Sequence, residues 1–231
     1  MTSNNLIFCA LDTADLNQAT KWAAEIGPVT GALKLGMEFC NSFGPAGIEA
    51  VQKAAPDADL FIDLKFHDIP NTVAGAVRTI CSNFAPAYLN VHAGGGRTMM
   101  EAAKEACGSD TKLLGVTILT SLSHEDLQAI GYEGEDTAAS VKRLAHLAKN
   151  AGLDGVVCSA LEIEMLRERY GPEFHLMVPG IRPAGSDKGD QKRVTTPADA
   201  LAKGATHLVI GRPITGADDP AKAAAEILES L

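Results

Sequence analysis

The stretch "LFIDLKFHDIPNTV" (residues 60–73) joins a short apolar run to a segment that a proline opens. A run of this length predicts a buried strand, and Pro70 at a first helical position predicts the start of a helix. Three charged residues, Asp63, Lys65 and Asp68, interrupt the pattern, although a strand that only supports the fold has no need of them. The stretch therefore predicts a strand followed by a helix, with charges that serve another purpose.

The same unit of strand and helix recurs along the chain. Seven further β-type runs lie at 6–12, 31–36, 88–93, 112–120, 155–159, 175–181 and 207–212. Most are continuously apolar, which is typical of parallel strands that are covered on both faces. Amphipathic helical patterns occupy residues 15–27, with an end expected at Gly27, and residues 137–152, 162–171 and 219–231.

Eight strands alternating with helices in 231 residues predict an α/β protein with a single-domain (β/α)8 barrel, the TIM barrel, over residues 1–231. A doubly wound open sheet is the alternative, because alternation alone does not prove that the sheet closes. A search for linkers, low-complexity segments and strong repeats finds none, which favours one domain.

Composition excludes several classes of protein. The chain is 46% hydrophobic and 21% charged, which is ordinary for a globular protein, and it has neither a membrane-span pattern nor a secretory signal pattern. Its five cysteines are scattered without a C-x-x-C spacing, as expected for free thiols in a reducing cytoplasm. A net charge of −9 disfavours nonspecific nucleic-acid binding. We therefore expect a cytoplasmic protein with neither a membrane nor a nucleic acid as partner.

Polar residues gather where the predicted strands end: Asp12, Lys34, Asp63, Lys65, Asn90, His92, Thr120, Ser121, Ser159 and Arg212. In a (β/α)8 barrel the carboxyl ends of all strands face one mouth, where active sites are built. A scaffold without a function would not need charges there.

Asp63 and Lys65 are two residues apart in a strand, so both side chains point to one face, the barrel interior. A plain buried ion pair is one interpretation of this pair alone. Lys34, from the neighbouring strand, and Asp68 extend it to an array of alternating charges. Such an array keeps a lysine protonated and aimed, ready to donate a proton or to stabilise an anion.

A second group of residues indicates an anion site. In "IGRP" (210–213), Gly211 allows close backbone approach and Arg212 offers a charged fork. The polar segment "PGIRPAGSDKGDQKRV" (179–194) is long for a loop of this fold. We interpret it as a cationic lid that closes over a phosphate; a disordered excursion and a solvated Arg212 are the alternatives.

Other motifs are weaker indications of function. The glycines of "HAGGG" (92–96) fit an anion cradle or a tight turn, and His92 and His67 are interpreted as structural. A search for metal-ligand spacings, the G-x-G-x-x-G fingerprint and the P-loop finds none of them. The sequence therefore predicts chemistry without a metal or cofactor, carried by lysine and aspartate.

Several motifs of the chain together resemble those of one known family. "DLKFHDIPNTV" resembles the signature of the orotidine 5′-phosphate decarboxylase family. Matching motifs follow in order over nearly the whole chain: "ALD" (10–12), "LKLG" (33–36), "TILTS" (117–121), "GLDGVVCSA" (152–160), "PGIRP" (179–183), "GDQKR" (189–193) and "IGRPIT" (210–215). The D-x-K-x-x-D core is shared with sister barrel enzymes, whereas its continuation into I-P-N-T is specific to the decarboxylases.

The resemblance implies a reaction and a role for the central charges. The substrate is orotidine 5′-phosphate, the products are UMP and CO2, and the pathway is pyrimidine synthesis. Lys65 stabilises the carbanion at C6 and then protonates it, with Asp63 near the departing carboxylate. Asp68 and Lys34 complete the catalytic set.

The resemblance also implies a binding set. Asp12 and Lys34 bind the ribose hydroxyls, and Thr120 or Ser121 contacts the pyrimidine. The phosphate is held by Arg182, Gln191, Gly211 and Arg212. A homodimer is implied, in which Asp68, Ile69 and Thr72 reach into the site of the partner subunit.

Two rival functions stay open at the level of sequence. A magnesium-dependent sugar-phosphate decarboxylase or aldolase of the same barrel group would share D-x-K-x-x-D. A non-catalytic nucleotide-phosphate-binding protein would share the phosphate residues but not need the set of Lys34, Asp63, Lys65 and Asp68.

Overall fold

A computed structural model describes residues 5–132, 136–183 and 195–231. Within these residues eight parallel strands alternate with helices. The strands are β1 Ile7–Ala10, β2 Ala32–Gly36, β3 Asp59–Phe66, β4 Tyr88–His92, β5 Lys112–Val116, β6 Gly155–Val157, β7 His175–Val178 and β8 His207–Ile210.

The helices cover the outside of the sheet. They are α1 Leu16–Thr30, α2 Met37–Ala54, α3 Pro70–Phe84, α4 Arg97–Cys107, α5 His124–Ala129, α6 Thr137–Asn150, α7 Ile163–Tyr170, α8 Pro197–Ala202, α9 Arg212–Thr215 and α10 Pro220–Glu229. Pro70 stands at the start of α3, as the sequence predicts.

The sheet closes on itself, which confirms the barrel and excludes the open sheet. Each strand pairs in parallel with the next, and β1 pairs with β8 through Ile7 with Leu208 and Phe8 with Val209. The carboxyl ends of all eight strands therefore surround one mouth.

The core has two layers, because alternate residues of each strand point to opposite sides of the sheet. The outer layer lies between barrel and helices and includes Ile7, Cys9, Leu33 and Leu35. The inner layer fills the barrel: Phe8, Ala10, Ala32, Phe61, Tyr88, Leu114, Met177 and Val209. Burial on both faces explains why the strands are continuously apolar in sequence.

Several predicted strands are too long at their carboxyl ends. The run 112–120 forms a strand only to Val116, and 207–212 only to Ile210. Arg212 was therefore wrongly placed at the end of a strand, since it is the first residue of the short helix α9. The run 112–120 stays apolar past the sheet because Ile118 and Leu119 line the wall of the mouth.

Helix α1 does not end at Gly27, as the sequence predicts, but continues to Thr30. Gly27 is buried inside the helix, and a Cβ atom there would lie 2.7 Å from that of Ala55. The glycine that ends the helix is Gly31, which has a φ of 66° and donates its N–H to the carbonyl of Gly27 at 2.8 Å.

Opposite the mouth, three side chains from the first residues of their strands form a partly buried chain of hydrogen bonds. The Nδ1 atom of His207 lies 2.9 Å from the carbonyl oxygen of Asn5, so it carries the ring proton. The Nε2 atom of His207 then accepts from the hydroxyl of Tyr88 at 2.7 Å, and that oxygen accepts from Nδ1 of His175 at 3.0 Å. Burial lowers the pKa of His207 to about 4.

Among the described residues, the helices are too short or too polar to cross a membrane.

Candidate active site

The mouth of the barrel holds a cavity of about 690 Å³, within the range of small-ligand sites. Its walls come from the carboxyl ends of the strands and the loops that follow them. Eight of the predicted site residues line it: Asp12, Lys34, Asp63, Lys65, Thr120, Arg182, Gly211 and Arg212. Ser121, the alternative to Thr120, lines it as well.

Four alternating charges run across the base of this cavity. The Nζ atom of Lys34 lies 3.1 Å from Oδ1 of Asp12 and 3.4 Å from Oδ2 of Asp63. The Nζ atom of Lys65 lies 2.6 Å from Oδ1 of Asp63. The order is therefore Asp12, Lys34, Asp63, Lys65, and each lysine has a carboxylate beside it.

Attraction between neighbouring opposite charges keeps Lys34 and Asp63 ionised despite their burial. Burial alone would lower the pKa of Lys34, but Asp63 and Asp12 raise it above its ordinary value. Burial alone would raise the pKa of Asp63, but Lys34 and Lys65 hold it below its ordinary range. Lys34 thus remains an ammonium and Asp63 a carboxylate at neutral pH.

The backbone of β3 is distorted at Lys65. The register between β3 and β4 shifts between Ile62 and Phe66, and Lys65 has a φ of 51°. A residue with a Cβ atom adopts this left-handed conformation at a cost of about 1–2 kcal/mol. Strain of this kind persists only where surrounding contacts enforce it, and it is common in active sites.

The predicted phosphate residues lie together on one side of the cavity. Gly211 and Arg212 follow β8, and Arg182 follows β7, where its backbone N–H bonds to the carbonyl of Thr195 at 3.0 Å. Loops after the seventh and eighth strands are the usual phosphate site of this fold. Gln191 and most of the predicted lid, residues 184–194, lie outside the described residues.

Asp68, Ile69 and Thr72 do not line the cavity of their own chain. All three are exposed, and the carboxylate of Asp68 accepts the backbone N–H of Ile69 at 2.6 Å. The expectation that Asp68 joins the array within its own chain is therefore wrong, and Asp12 takes that place. Asp68 lies in the turn that follows β3, outside the barrel interior.

Asn90 is one of the polar residues at the predicted strand ends, and the sequence alone indicates no role for it in the site. Its side chain is fully buried and bonds to both Asp63 and Lys65. The available signal was its inward register position, two residues after Tyr88 on the strand next to β3. Apolar wall residues were also missed: Met37, Ile118, Leu119, Cys158 and Pro179.

The residues of "HAGGG" form a tight turn. The Nδ1 atom of His92 accepts the backbone N–H of Gly94 at 3.1 Å, and the rings of His67 and His92 stack at 5.1 Å. Burial, followed by the charges of His67 and Lys65, lowers the pKa of His92. His92 is thus held by local contacts, as expected of a structural histidine.

The part of the chain that the structure describes contains no cluster of three or more His, Cys, Asp or Glu side chains suited to a metal ion.

A closed (β/α)8 barrel with paired lysines and aspartates at its mouth defines a class of barrel enzyme whose site lies at the carboxyl ends of the strands. Residues 5–227 match the model of the "Orotidine 5'-phosphate decarboxylase / HUMPS family". This chain belongs to that family.

Individual relatives support the same conclusion. The chain is 51% identical over 230 residues to the orotidine 5′-phosphate decarboxylase of Rhodospirillum rubrum, covering 96% of this chain and 92% of that protein. It is 50% identical over 225 residues to the enzyme of the same name from Thermobifida fusca, covering 97% and 95%. The crystal structure of orotidine 5′-phosphate decarboxylase from Lactobacillus acidophilus superimposes with a TM-score of 0.85 at 36% identity, covering 97% and 98%.

Proposed function

We propose that this enzyme decarboxylates orotidine 5′-phosphate to UMP and CO2 in pyrimidine biosynthesis, with Lys65 as the group that stabilises and protonates the C6 carbanion. Family membership and the names of relatives near 50% identity support the reaction. The observation that carries the role of Lys65 is its Nζ atom, held 2.6 Å from Asp63 at the base of the cavity.

The chemistry requires a positive charge at one carbon atom. When the bond between C6 and the carboxylate breaks, CO2 leaves and the electron pair stays on C6. An ammonium group stabilises that charge as it develops, and its proton then forms the new C6–H bond. Lys65 becomes a neutral amine in this step and recovers its proton from water.

Asp63 serves this step through its contact with Lys65. Its carboxylate lies between Lys34 and Lys65, so it holds the Lys65 ammonium in one direction and favours its charged form. In this proposal Asp63 also lies near the departing carboxylate of the substrate.

The rest of the nucleotide extends across the cavity from this point. Asp12 and Lys34 bind the ribose hydroxyls, and Thr120 or Ser121 contacts the pyrimidine. The presence of all four in the wall of one cavity supports these assignments.

The phosphate binds between Arg182, Gly211 and Arg212, with Gln191 assigned on resemblance alone. Two guanidinium groups on one side of an otherwise acidic protein, with a net charge of −9, support an anion site there. Binding energy from this remote group lowers the barrier at C6.

A homodimer completes each site. Asp68 and Thr72 are exposed beside Ile69, whose apolar side chain is 66% exposed. Exposed charge and apolar surface at the rim of the mouth support a contact in which these residues enter the partner's site.

We also infer one domain, because the barrel begins at Ile7 and its last helix ends at Glu229. Five free cysteines support a cytoplasmic location.

The function is tested by following the ultraviolet absorbance of orotidine 5′-phosphate with the purified protein, with and without EDTA. We expect the substrate absorbance to fall, and UMP to form, at the same rate with EDTA as without it. Activity that EDTA abolishes and magnesium restores would favour the metal-dependent rival. Binding of UMP without any turnover would favour a nucleotide-binding protein.

A further inference from the structure

Asn90 lies at the centre of the catalytic strands without touching the cavity. It stands on β4, its side chain is 0% exposed, and it is absent from the cavity wall. Its Oδ1 atom accepts the backbone N–H of Lys65 at 2.7 Å, and its Nδ2 atom donates to Oδ1 of Asp63 at 2.7 Å. The oxygen and the nitrogen of one buried amide therefore bond to the two residues to which the reaction is assigned.

The first of these bonds meets a need that the distorted strand creates. Where the register between β3 and β4 shifts, the regular ladder of hydrogen bonds is interrupted, and Lys65 adopts its φ of 51°. A buried N–H without a partner is costly, so the Asn90 oxygen stabilises the conformation that turns Lys65 into the barrel.

The second bond determines the orientation of the Asp63 carboxylate. Its Oδ1 atom receives Lys65 at 2.6 Å and Asn90 at 2.7 Å, while Oδ2 faces Lys34 at 3.4 Å. With donors on both oxygens, rotation of the carboxylate would break at least one contact. The plane of the group, and with it the direction of the Lys65 ammonium, is thus held by Asn90 from below.

We propose that Asn90 is a positioning residue for decarboxylation: its side-chain amide holds the Lys65 backbone and the Asp63 carboxylate in the geometry that aims the Lys65 ammonium at the reacting carbon. This inference rests on the proposed role of Lys65. An asparagine is required because it is short, neutral at every working pH, and both accepts and donates.

The requirement for a neutral side chain provides a sharp test, Asn90→Asp. The nearest charged groups of the network are Asp63 and Lys65 on β3 and Lys34 on β2, while the partner of position 90 on β5 is the apolar Leu114. A protonated carboxyl at position 90 would accept from Lys65 and donate to Asp63, as the amide does. An ionised carboxylate at position 90 would repel the carboxylate of Asp63, because both groups would carry a negative charge.

The ratio of variant to wild-type kcat, measured from pH 5 to pH 9, is therefore expected to fall as pH rises, by about 10–100-fold, the scale of a small misplacement in a catalytic site. KM should stay within about 3-fold, because phosphate and ribose contacts are untouched. Asn90→Leu, which forms neither bond at any pH, should show a low kcat ratio that is independent of pH.

Circular dichroism at each pH, and UMP affinity by calorimetry, separate loss of geometry from loss of fold. A flat kcat ratio for a folded Asn90→Asp, or a change confined to KM, would overturn the inference. If Asn90→Asp does not fold, Asn90→Ser decides: a kcat equal to wild type overturns the inference, and a 10-fold or larger loss with an unchanged KM supports it. Lys65→Ala measured in parallel distinguishes the two proposals, because an active Lys65→Ala contradicts the proposed function itself.

Discussion

The carboxylate of Asp63 lies 2.6 Å from the Lys65 ammonium, on the oxygen opposite the one that faces Lys34 at 3.4 Å. The two lysines differ in their access to the cavity, since the Lys65 side chain is 31% exposed and that of Lys34 only 8%. Lys65 is thus the more accessible of the two lysines beside this carboxylate, although both line the cavity. This difference in access supports the proposed role of Lys65 as the proton donor.

Replacement of that donor should abolish turnover. Lys65→Ala is expected to lower kcat by at least about 10³-fold while the fold survives, because the proton donor and its charge are both lost. Lys65→Arg should fail too, because a guanidinium is larger and does not release its proton. Turnover is measured by the loss of substrate absorbance. Lys222→Ala, at an exposed surface ion pair, is the control and should match wild type. Near-normal decarboxylation by Lys65→Ala would rule out the mechanism.

The proposed phosphate site should act on the reaction from a distance. Arg212→Ala is expected to lower kcat/KM by about 10–100-fold, because a charge-assisted contact to the phosphate is lost. The corresponding nucleoside without phosphate should react poorly in both proteins and at the same rate. Steady-state kinetics with both substrates checks this. Arg169→Ala, at an exposed arginine of α7, is the matched control. A nucleoside that reacts as well as the nucleotide contradicts the prediction.

The proposed shared site predicts complementation between inactive subunits. Lys65→Ala and Asp68→Ala are each expected to be inactive alone. In a mixed dimer one site inherits both defects, and the other combines an intact Lys65 with an intact Asp68 from the other chain. Because a two-fold interface is self-complementary, activity should reappear on mixing, at up to about a quarter of the wild-type level.

Subunit exchange has to be verified in the same sample. Native mass spectrometry of the two variants, one labelled with heavy isotopes, measures the fraction of mixed dimer. If exchange is complete and activity stays at the level of the separate variants, Asp68 acts within its own subunit and the shared-site proposal is wrong.

The partly buried His207, opposite the mouth, predicts acid sensitivity. The pKa of His207 is lowered by burial to about 4 in the folded protein, against about 6.5 in the unfolded chain. Between these values only the unfolded state binds the proton, so the free energy of unfolding is full above pH 6.5 and falls as pH decreases. The expected loss from this residue between pH 7 and pH 5 is about 2 kcal/mol.

Urea unfolding at both pH values measures this loss. His207→Gln should be less stable than wild type at pH 7, because the bond with Tyr88 is disturbed, but its stability should fall less on acidification. His124→Gln, at an exposed histidine that opens α5, should retain the wild-type pH dependence. An identical slope in His207→Gln and wild type would contradict the assignment.

Much of the fold and of the candidate site was predictable from sequence, because the relevant signals are local. Continuous apolar runs identified all eight strands, and Pro70 marked the start of α3. A spacing of two residues placed Asp63 and Lys65 on one face, and their side chains meet at 2.6 Å. Strand alternation and helix-start preferences depend on a few neighbouring residues, so they are present in the sequence itself.

The remaining features depended on contacts between residues far apart in the chain. Closure requires β1 to pair with β8, and nothing within either strand states its partner. Asp12 reaches Lys34 while Asp68 turns outward, because the path of the chain beyond β3 decides which carboxylate enters the mouth. The bond from Lys65 to Asn90 spans 25 residues and exists only through a register shift between β3 and β4. The sequence by itself thus determined which residues form strands and which face they share, whereas the register and closure of the barrel decided which charges meet, since those depend on packing of the whole sheet.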